Sequence, residues 1–491
     1  MYTPPPAIAL FSRILKDDGF EVALFDTTDY KIGNDFDSDK EKEKHLAVRP
    51  FDMTDKVTLK NTDPYDDLDK LVNFFHPDLV AMSATEDTFH LGLRLIKYID
   101  KYDILTIVGG VFPTFAPQKV IKNKEIDIVC VGEGEDALLE LCVKLRESKD
   151  YSNIENLWIK KESGEVIKNP MRMTSNIDKN PLPDFSLFEE ARLYRPMAGK
   201  VYRMLPVETH RGCPYGCAYC NSPAQRELYR EAQSGNFLRK KSIDVVRREL
   251  DYYKSKWDIE YVYFTADTFL SFTEKEFDAF IEMYSDFRIP FWCQTRPETI
   301  TREKISKLRD VGLHRIAIGV EHGNEEFRKR IINRSVKNDT IVNAFNIVSE
   351  CSLPAGISVN NIVGFPTETK QLAMDTVELN RMISDQIDTM NCYAFVPFHG
   401  TPLRELSIKL GYIEENTLTG CLTGEPVLNM QQFPKEKIKG IMRTFSVYVR
   451  FDKSRWKEIE IAEKFTPEGE EAFQLLREEY IQRYFTSESV G

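Results

Sequence analysis

The sequence of 491 residues lacks the features that mark membrane and secreted proteins. No apolar run approaches the roughly 20 residues that a membrane-spanning helix needs. The segment from Met1 to Pro6 has neither the basic region nor the apolar region of a secretory signal. We therefore expect a cytoplasmic protein without a transmembrane segment.

A surplus of basic residues is also absent. The chain has 66 Lys and Arg against 78 Asp and Glu, which gives a formal net charge of −12. A protein that wraps duplex DNA needs a field of positive charge. The composition therefore predicts no duplex nucleic acid as a partner, although it leaves open a local basic groove.

A disulfide framework is not indicated either, because nine Cys is an odd number. Three of the cysteines lie close together, at Cys213, Cys217 and Cys220, and clustered thiols point to metal chemistry. The other six stand alone, as small buried apolar residues commonly do: Cys130, Cys142, Cys293, Cys351, Cys392 and Cys421.

The length predicts two or three domains, because single hydrophobic cores rarely grow beyond about 250–300 residues. In residues 1–150, apolar strands alternate with helical stretches, which is typical of a doubly wound, Rossmann-like parallel sheet. Ligands of such sheets bind beyond the carboxyl ends of the strands. We expect strands at 21–25, 78–83, 104–108 and 126–131, helices at 7–18, 91–98 and 136–145, and a charged, solvated loop at 36–48.

A second α/β region follows a linking segment at 151–199, in which 157–167 is expected to form a hairpin. Six strand–helix units in residues 200–410 predict a (β/α)6 partial TIM barrel. Residues 411–491 are expected to be helical, with an amphipathic helix at 466–484. The expected barrel strands are 207–209, 261–265, 291–294, 315–319, 356–362 and 389–395, and the expected helices are 242–254, 274–285, 302–311, 325–331, 338–350 and 370–383.

The clustered cysteines have the spacing C-x3-C-x2-C and come directly after the first expected barrel strand. Three thiolates on one tight loop can hold three irons of a cubane 4Fe–4S cluster and leave the fourth iron open. A structural zinc site is the alternative, but zinc normally takes four ligands, often as two C-x2-C pairs. The sequence contains no second pair, so the spacing favours an iron–sulfur cluster.

This spacing, with Tyr219 before the last Cys, resembles the signature of the radical S-adenosylmethionine (SAM) superfamily. Further segments resemble other elements of that family: 264–269 (FTADTF), 319–324 (GVEHGN), 333–334 (NR), 362–369 (IVGFPTET) and 400–402 (GTP). The resemblance covers about residues 200–410. It implies that one electron cleaves SAM to a 5′-deoxyadenosyl radical, which takes hydrogen from an unreactive carbon.

The same resemblance implies a set of SAM contacts. A strand-end cap or a surface ion pair is the alternative role for Asp267, Glu321 and Arg334. Gln294 and Arg296 could point into the barrel mouth, but a structural role is favoured for both. The implied SAM-binding residues are Tyr219, Asp267, Glu321, Arg334, Ser358, Asn360 and Gly364.

The first 150 residues resemble the cobalamin-binding domain that precedes the radical domain in many of these enzymes. The matching pieces, in order, are Pro4-Pro5-Pro6 and the segments 83–85, 108–114 and 132–135. Ordinary tight turns are the alternative explanation, because they also favour Gly. The cobalamin-binding residues that the resemblance implies are Ser83, Thr85, Gly109, Gly110, Thr114, Gly132 and Glu133.

Two departures from the cobalamin-domain pattern are present. The strand that usually precedes the Pro-Pro element is expected to be absent, because Pro4 lies three residues after Met1. None of the seven His lies in a D-x-H-x-x-G motif, so we expect cobalamin to lack a histidine lower ligand.

Together these features predict a cobalamin-dependent radical enzyme that methylates an unactivated carbon. A non-methylating radical reaction, such as oxidative cyclisation, ring rearrangement or carbon–carbon coupling, is the first alternative, and a sensor without turnover is the second. The expected partners are a small-molecule or peptide substrate and an external electron donor such as flavodoxin or ferredoxin.

Overall fold

Two main sheets organise the chain, one in each half. The computed structural model of the protein describes residues 3–31 and 38–485. The strands of the first half are β1 (Leu79–Ser83), β2 (Leu105–Gly109), β3 (Ile128–Cys130), β4 (Leu157–Lys160) and β5 (Val166–Lys168). Its helices are α1 (Pro6–Asp17), α2 (Ser38–Lys44), α3 (Pro64–Phe75), α4 (Glu86–Ile99), α5 (Val111–Phe115), α6 (Pro117–Ile121) and α7 (Glu135–Arg146).

The first sheet has the strand order β1-β2-β3-β4-β5. Strands β1 to β3 are parallel, and the hairpin of β4 and β5 adds two antiparallel strands beside β3. Val108 and Val129 pack on one face of the sheet, while Ile107 and Ile128 pack on the other. Because both faces are covered, the strand sequences are continuously apolar.

The predicted strand at 21–25 is wrong. These residues pair with no other strand in the described chain, and Phe25 instead packs beside Leu68 of α3 and Leu95 of α4. An apolar segment can bury its side chains without forming a strand, because a strand also needs a neighbouring strand for its backbone hydrogen bonds.

The predicted loop at 36–48 is also corrected, because residues 38–44 form α2. Positions 36 and 37 lie outside the described residues. The segment Ser38–Lys44 is rich in Lys and Glu, which are good helix formers, and Lys42 lies 3.7 Å from Asp39 one turn earlier. A segment rich in charged residues is therefore compatible with an exposed helix as well as with a solvated loop.

The strands of the second half are β6 (Tyr194–Met197), β7 (Lys200–Glu208), β8 (His210–Arg211), β9 (Arg239–Lys240), β10 (Tyr261–Thr265), β11 (Phe291–Thr295), β12 (Leu313–Glu321), β13 (Ile357–Val363) and β14 (Thr389–Ala394). The second sheet has the strand order β14-β13-β12-β11-β10-β7-β6, and a separate two-stranded ribbon joins β8 and β9. The helices between and after them are α8 (Asn221–Glu231), α9 (Ile243–Trp257), α10 (Glu274–Tyr284), α11 (Arg302–Val311), α12 (Glu325–Arg330), α13 (Asn338–Glu350), α14 (Lys370–Met382) and α15 (Pro402–Lys409).

Six consecutive strands of this sheet, from β7 to β14, run parallel and form a curled half-barrel. A helix follows each strand, which is why neighbouring strands can be parallel. The α/β fold class that the sequence predicts is confirmed. The domain boundaries at 150, 199 and 410 stay predictions.

The C-terminal helices are α16 (Lys435–Arg450), α17 (Trp456–Ala462) and α18 (Pro467–Tyr484). Helix α16 packs against α14 and β14, so it covers the last strand of the half-barrel. Ile441 of α16 and Phe473 of α18 are fully buried in the same core as the barrel strands. No helix in the described part of the chain is long and apolar enough to cross a membrane.

Candidate functional site

The loop that carries Cys213, Cys217 and Cys220 is fixed by contacts to its main chain. Asn333 donates a 2.7 Å hydrogen bond from Nδ2 to the Gly216 carbonyl. Arg226 donates from Nη1 to the Cys213 carbonyl over 2.6 Å. The loop therefore has a defined shape before any ligand is considered.

The three thiols of this loop lie beside hydrogen-bonding groups in a largely buried setting. Cys213 Sγ is 3.4 Å from Thr268 Oγ1, and Cys220 Sγ accepts a 3.5 Å hydrogen bond from the Ser222 amide. Burial raises the pKa of Cys213, and it raises the pKa of Cys220 to about 12. Metal ligation would offset this cost, because a bound metal deprotonates its thiol ligands.

The donor set fits a cubane cluster better than a single ion. Across residues 3–31 and 38–485, no three His, Cys, Asp or Glu side chains converge as the site of one metal ion would require. A cubane cluster instead distributes its thiolates over separate irons. The loop offers three thiols for such a cluster, of which Cys213 and Cys217 are buried and Cys220 is partly buried.

Asp267 follows β10 and lies close to the cysteine loop. Ser222 donates from Oγ to Asp267 Oδ2 over 2.5 Å. Burial raises the pKa of Asp267, and the Ser222 hydrogen bond only partly opposes the rise. Asp267 nevertheless keeps an exposed surface, so the predicted SAM contact is a carboxyl group beside the thiols that a ligand can reach.

Glu321, Arg334 and Tyr219 form a buried polar group at the end of β12. Arg334 donates from Nη1 to Glu321 Oε1 over 3.2 Å and also donates to the Gly319 carbonyl. Glu321 has a positive φ of 69° where the β12–β13 register shifts. Burial raises its pKa against the charge of Arg334, and Tyr219 also hydrogen-bonds to it. Because Glu321 and Arg334 are 9% and 2% exposed, a surface ion pair is not their role.

Ser358 and Asn360 lie on the same face of β13, since alternate residues of a strand share a face. Asn360 Oδ1 accepts a 2.9 Å hydrogen bond from Asn391 Nδ2 on β14. Gln294 of β11 donates from Nε2 to the Ala266 carbonyl over 3.2 Å. Sequence reasoning missed Asn391, whose place beside Asn360 depends on strand register.

Gly364 follows β13 with a positive φ of 83°. The Glu368 carboxylate accepts hydrogen bonds of 2.5 and 2.8 Å from the amides of Gly364 and Phe365, which fixes this turn. A Cβ at Gly364 would lie 3.0 Å from Ile438 of α16. The position is therefore close to a C-terminal helix, and its predicted contact with SAM stays a prediction.

Two predicted cobalamin contacts, Ser83 and Thr85, are exposed at the carboxyl end of the first sheet. Thr85 is the N-cap of α4, and its amide donates a 3.0 Å hydrogen bond to Thr88 Oγ1. Ser83 ends β1 directly beside Gly109 of β2. This part of the edge is open to a ligand.

Gly109 and Gly110 form a close contact with the preceding loop. A Cβ at Gly110 would lie 2.5 Å from the Ala84 carbonyl oxygen, and the φ of Gly110 is 115°. Thr114 Oγ1 donates to the Gly110 carbonyl over 2.8 Å and accepts from the Gly132 amide over 3.0 Å. These contacts hold the strand-end loops together in a shape that a side chain at Gly110 would fill.

Gly132 and Glu133 contact the second half of the chain. The Glu133 amide donates a 2.8 Å hydrogen bond to Tyr229 Oη. The Glu133 carboxylate pairs with Arg211 at 2.7 Å and with Arg239. Burial tends to raise the pKa of Glu133, but the hydrogen bond from Arg239 and the charges of both Arg lower it overall. The predicted role of both residues in binding cobalamin stays a prediction.

A second contact between the halves centres on Glu86, the first residue of α4. His399 Nδ1 lies 2.9 Å from Glu86 Oε2, and the Thr419 amide donates to Glu86 Oε1 over 2.9 Å. The His399 carbonyl accepts a 2.8 Å hydrogen bond from Asn221, the residue after Cys220. Sequence reasoning missed this contact, for which no local pattern gives a signal.

Arg296 was expected to have a structural role, but its guanidinium lies on the cysteine loop. Nη1 donates a 3.0 Å hydrogen bond to Cys217 Sγ. Arg296 is 8% exposed, so this is a buried charge. Its position directly after β11 was the one feature of the sequence that pointed to a place at the site.

Comparison with known proteins finds a matching family model in each half of the chain. Residues 207–379 match the model of the Radical SAM superfamily, and residues 51–142 match the B12 binding domain. "Uncharacterized methyltransferase PH0819" from Pyrococcus horikoshii is 25% identical over 395 residues, which is 79% of this chain and 81% of that protein. 4′-Phospho-dehydrooxetanocin synthase from Priestia megaterium is 23% identical over 315 residues, which is 59% of this chain and 40% of that protein.

Among solved structures, the radical S-adenosylmethionine methyltransferase TsrM from Kitasatospora setae, with cobalamin and a 4Fe–4S cluster bound, has a TM-score of 0.63 at 15% identity. The match covers 98% of this chain and 97% of that one. The fold and the three predicted cofactors, the 4Fe–4S cluster, SAM and cobalamin, are confirmed by the two domain matches together. The chain therefore contains a radical SAM domain, with a B12 binding domain ahead of it.

Proposed function

We propose that the protein is a cobalamin-dependent methyltransferase that methylates an unactivated carbon of a small molecule or peptide. The contact of Glu133 with Arg211 is the observation that carries the proposal. Glu133 ends the loop after β3, and Arg211 lies two residues before Cys213. The strand-end edge of the B12 binding domain is therefore held against the cysteine loop, as a transfer between two cofactors requires.

Cys213, Cys217 and Cys220 would hold the cluster, and burial of Cys213 and Cys217 would limit the access of water to it. When bound, the cluster and SAM supply a carbon radical by one-electron reduction, and cobalamin supplies the methyl group. An external donor such as flavodoxin or ferredoxin would deliver the electron. The protein's own part is to bind, orient and shield these groups.

The residues beside the cysteine loop would orient SAM. Asp267 is exposed after β10 and Glu321 is buried at the end of β12. Both carboxyl groups suit the amino group and ribose hydroxyls of SAM. Arg334 fixes Glu321 and adds positive charge for the carboxylate. Tyr219, Ser358, Asn360 and Gly364 complete the proposed set.

The edge of the first sheet would hold cobalamin through shape more than charge. Ser83 and Thr85 are exposed there, and Gly109, Gly110 and Thr114 shape the adjoining loop. Gly132 and Glu133 would bind at the boundary with the radical SAM domain.

Anaerobic reconstitution with iron, sulfide and cobalamin tests the proposal. Absorbance should show both cofactors on one chain, and SAM labelled in its methyl group should pass the label to the product. Protein reconstituted without cobalamin is the matched control and should form 5′-deoxyadenosine without labelled product. A chain that holds the cluster but never cobalamin would contradict the proposal.

A non-methylating radical reaction is the second candidate. It gains support from the relative in Priestia megaterium, which is named a synthase and not a methyltransferase. Substrate conversion with 5′-deoxyadenosine formed and no label in the product would favour it. Any turnover that forms 5′-deoxyadenosine would exclude a sensor without activity.

A further inference from the structure

The Cys217 sulfur accepts a hydrogen bond from a positively charged side chain, whereas the hydrogen-bonding partners of the other two sulfurs are neutral. Arg296 Nη1 donates to it over 3.0 Å. Cys213 faces the neutral Thr268 hydroxyl at 3.4 Å, and Cys220 faces the Ser222 amide at 3.5 Å. Hydrogen bonds from a charged donor are shorter and roughly twice as strong as neutral ones.

The guanidinium of Arg296 is held in one orientation from two further sides. Its central carbon lies 3.7 Å from the ring centroid of Tyr215, within the cysteine loop itself. Glu298 Oε1 accepts a 2.8 Å hydrogen bond from Arg296 Nε. A planar guanidinium that stacks on an aromatic ring is oriented at little entropic cost, which Lys cannot reproduce.

Burial strengthens the effect of this charge. Arg296 is 8% exposed and Cys217 is 7% exposed, so water screens their interaction weakly. Reduction of a cluster adds one negative charge to its irons and sulfurs. A fixed cation beside one sulfur therefore stabilises the reduced state more than the oxidised state, and hydrogen bonds to sulfur are among the determinants of cluster potential.

We propose that Arg296 raises the reduction potential of the cluster through its hydrogen bond to Cys217 Sγ. The inference rests on the proposed cluster site at Cys213, Cys217 and Cys220. One electron passes from the external donor to the cluster, no bond breaks, and Arg296 keeps all of its protons. Arg296 is thus a positioning residue that adjusts how readily the donor reduces the cluster.

Potentiometric titration of the reconstituted full-length protein, followed by EPR of the reduced cluster, tests the inference. Arg296→Met removes both charge and donor. At a fixed applied potential its ratio of reduced to oxidised cluster should fall about tenfold, which is 59 mV for one electron. Arg296→Lys keeps the charge and should recover part of the loss, while the matched control Thr268→Val should shift the ratio less.

Iron and sulfide content, measured on the same samples, distinguishes a failure of the proposed cluster site from a failure of the proposed effect of Arg296. Wild-type protein without a cluster would overturn the proposed site and the inference together. Clusters of full iron content with equal potentials in wild type and Arg296→Met would overturn the inference alone, as would a larger shift in Thr268→Val. If Arg296→Met takes up no iron, Arg296→Gln, which also lacks the charge, decides by the same criterion.

Discussion

The cysteine loop and the strand-end edge of the B12 binding domain are both turns rich in Gly, but they are stabilised in different ways. Arg296 and Thr268 contact the sulfurs of the cysteine loop, and Arg226 contacts its main chain. The B12 domain edge depends on close backbone packing, as between Gly110 and Ala84. The cysteine loop therefore holds its thiols among fixed polar and charged groups. The B12 domain edge instead depends on the shape of its closely packed backbone.

Replacement of a cluster ligand should have the largest effect and should be confined to one region. Cys217→Ala should remove nearly all iron and abolish cleavage of SAM, because a cubane cluster cannot be held by two thiolates on this loop. Cobalamin absorbance should persist. Cys142→Ala, at a lone half-buried Cys in α7, is the matched control and should keep its iron. Equal iron loss in both variants would refute the assignment.

The ion pair that joins the regions should give the next largest effect. Glu133→Ala should lower the free energy of unfolding by about 3 kcal/mol, because the partly buried Arg239 is left without a charged partner. Arg211 retains Glu135 and Glu208, which limits the loss.

Urea denaturation measures this loss. The matched control Glu227→Ala breaks an exposed pair with Arg230, which solvent screens, and should lower the free energy of unfolding far less. Similar losses in the two variants would mean that the Glu133 pair does not join the regions.

Acid should weaken the radical SAM domain more than the B12 binding domain. Burial lowers the pKa of His210 to about 4, so the folded state keeps this ring neutral while the unfolded chain protonates near pH 6.5. Stability from His210 is therefore present above pH 6.5 and lost as pH falls to about 4, on the order of 3 kcal/mol at most. His76 and His90 of the B12 domain are exposed.

Hydrogen exchange at pH 7 and pH 5 can compare the two domains directly. His210→Gln should reduce the acid-induced loss in the radical SAM domain, whereas His90→Gln should not. Equal acid sensitivity of the His210→Gln variant and wild type would contradict the assigned cause.

The smallest expected change in stability comes from the shape of the B12 domain edge. Gly110→Ala should cost about 1–3 kcal/mol, because a side chain at φ 115° is strained, and its Cβ would clash with the Ala84 carbonyl. Cobalamin binding should weaken while iron content stays unchanged. Gly164→Ala has a positive φ of 83° but nothing within 4 Å, and should leave cobalamin binding intact. Unchanged cobalamin affinity in Gly110→Ala would show that this turn is not part of the site.

Much of the fold follows from local patterns, and the exceptions have a common cause. The predicted strand at 261–265 and helices at 302–311 and 338–350 match the structure to the residue, because periodicity and capping are local. The cysteine spacing is local too. The strand predicted at 21–25 fails because a strand depends on its neighbour, which local sequence does not specify.

The site residues that sequence analysis missed, or to which it gave a structural role, depend on contacts that are distant in sequence. His399 reaches Glu86 across 313 positions. Arg296 and Asn391 depend on how the half-barrel curls and on its strand register. Sequence patterns named the chemistry of the site, but these polar partners required the assembled chain.

Helix α16 covers the last strand of the half-barrel, which in a closed barrel would pair with another strand. It lies over the last strand, and Ile438 fills the space beside Gly364. A half-barrel on its own would leave β14 as an edge strand with unpaired backbone groups, which is a template for aggregation. Truncation before residue 435 should therefore expose this strand and yield insoluble protein, which the soluble fraction of the truncated chain would measure.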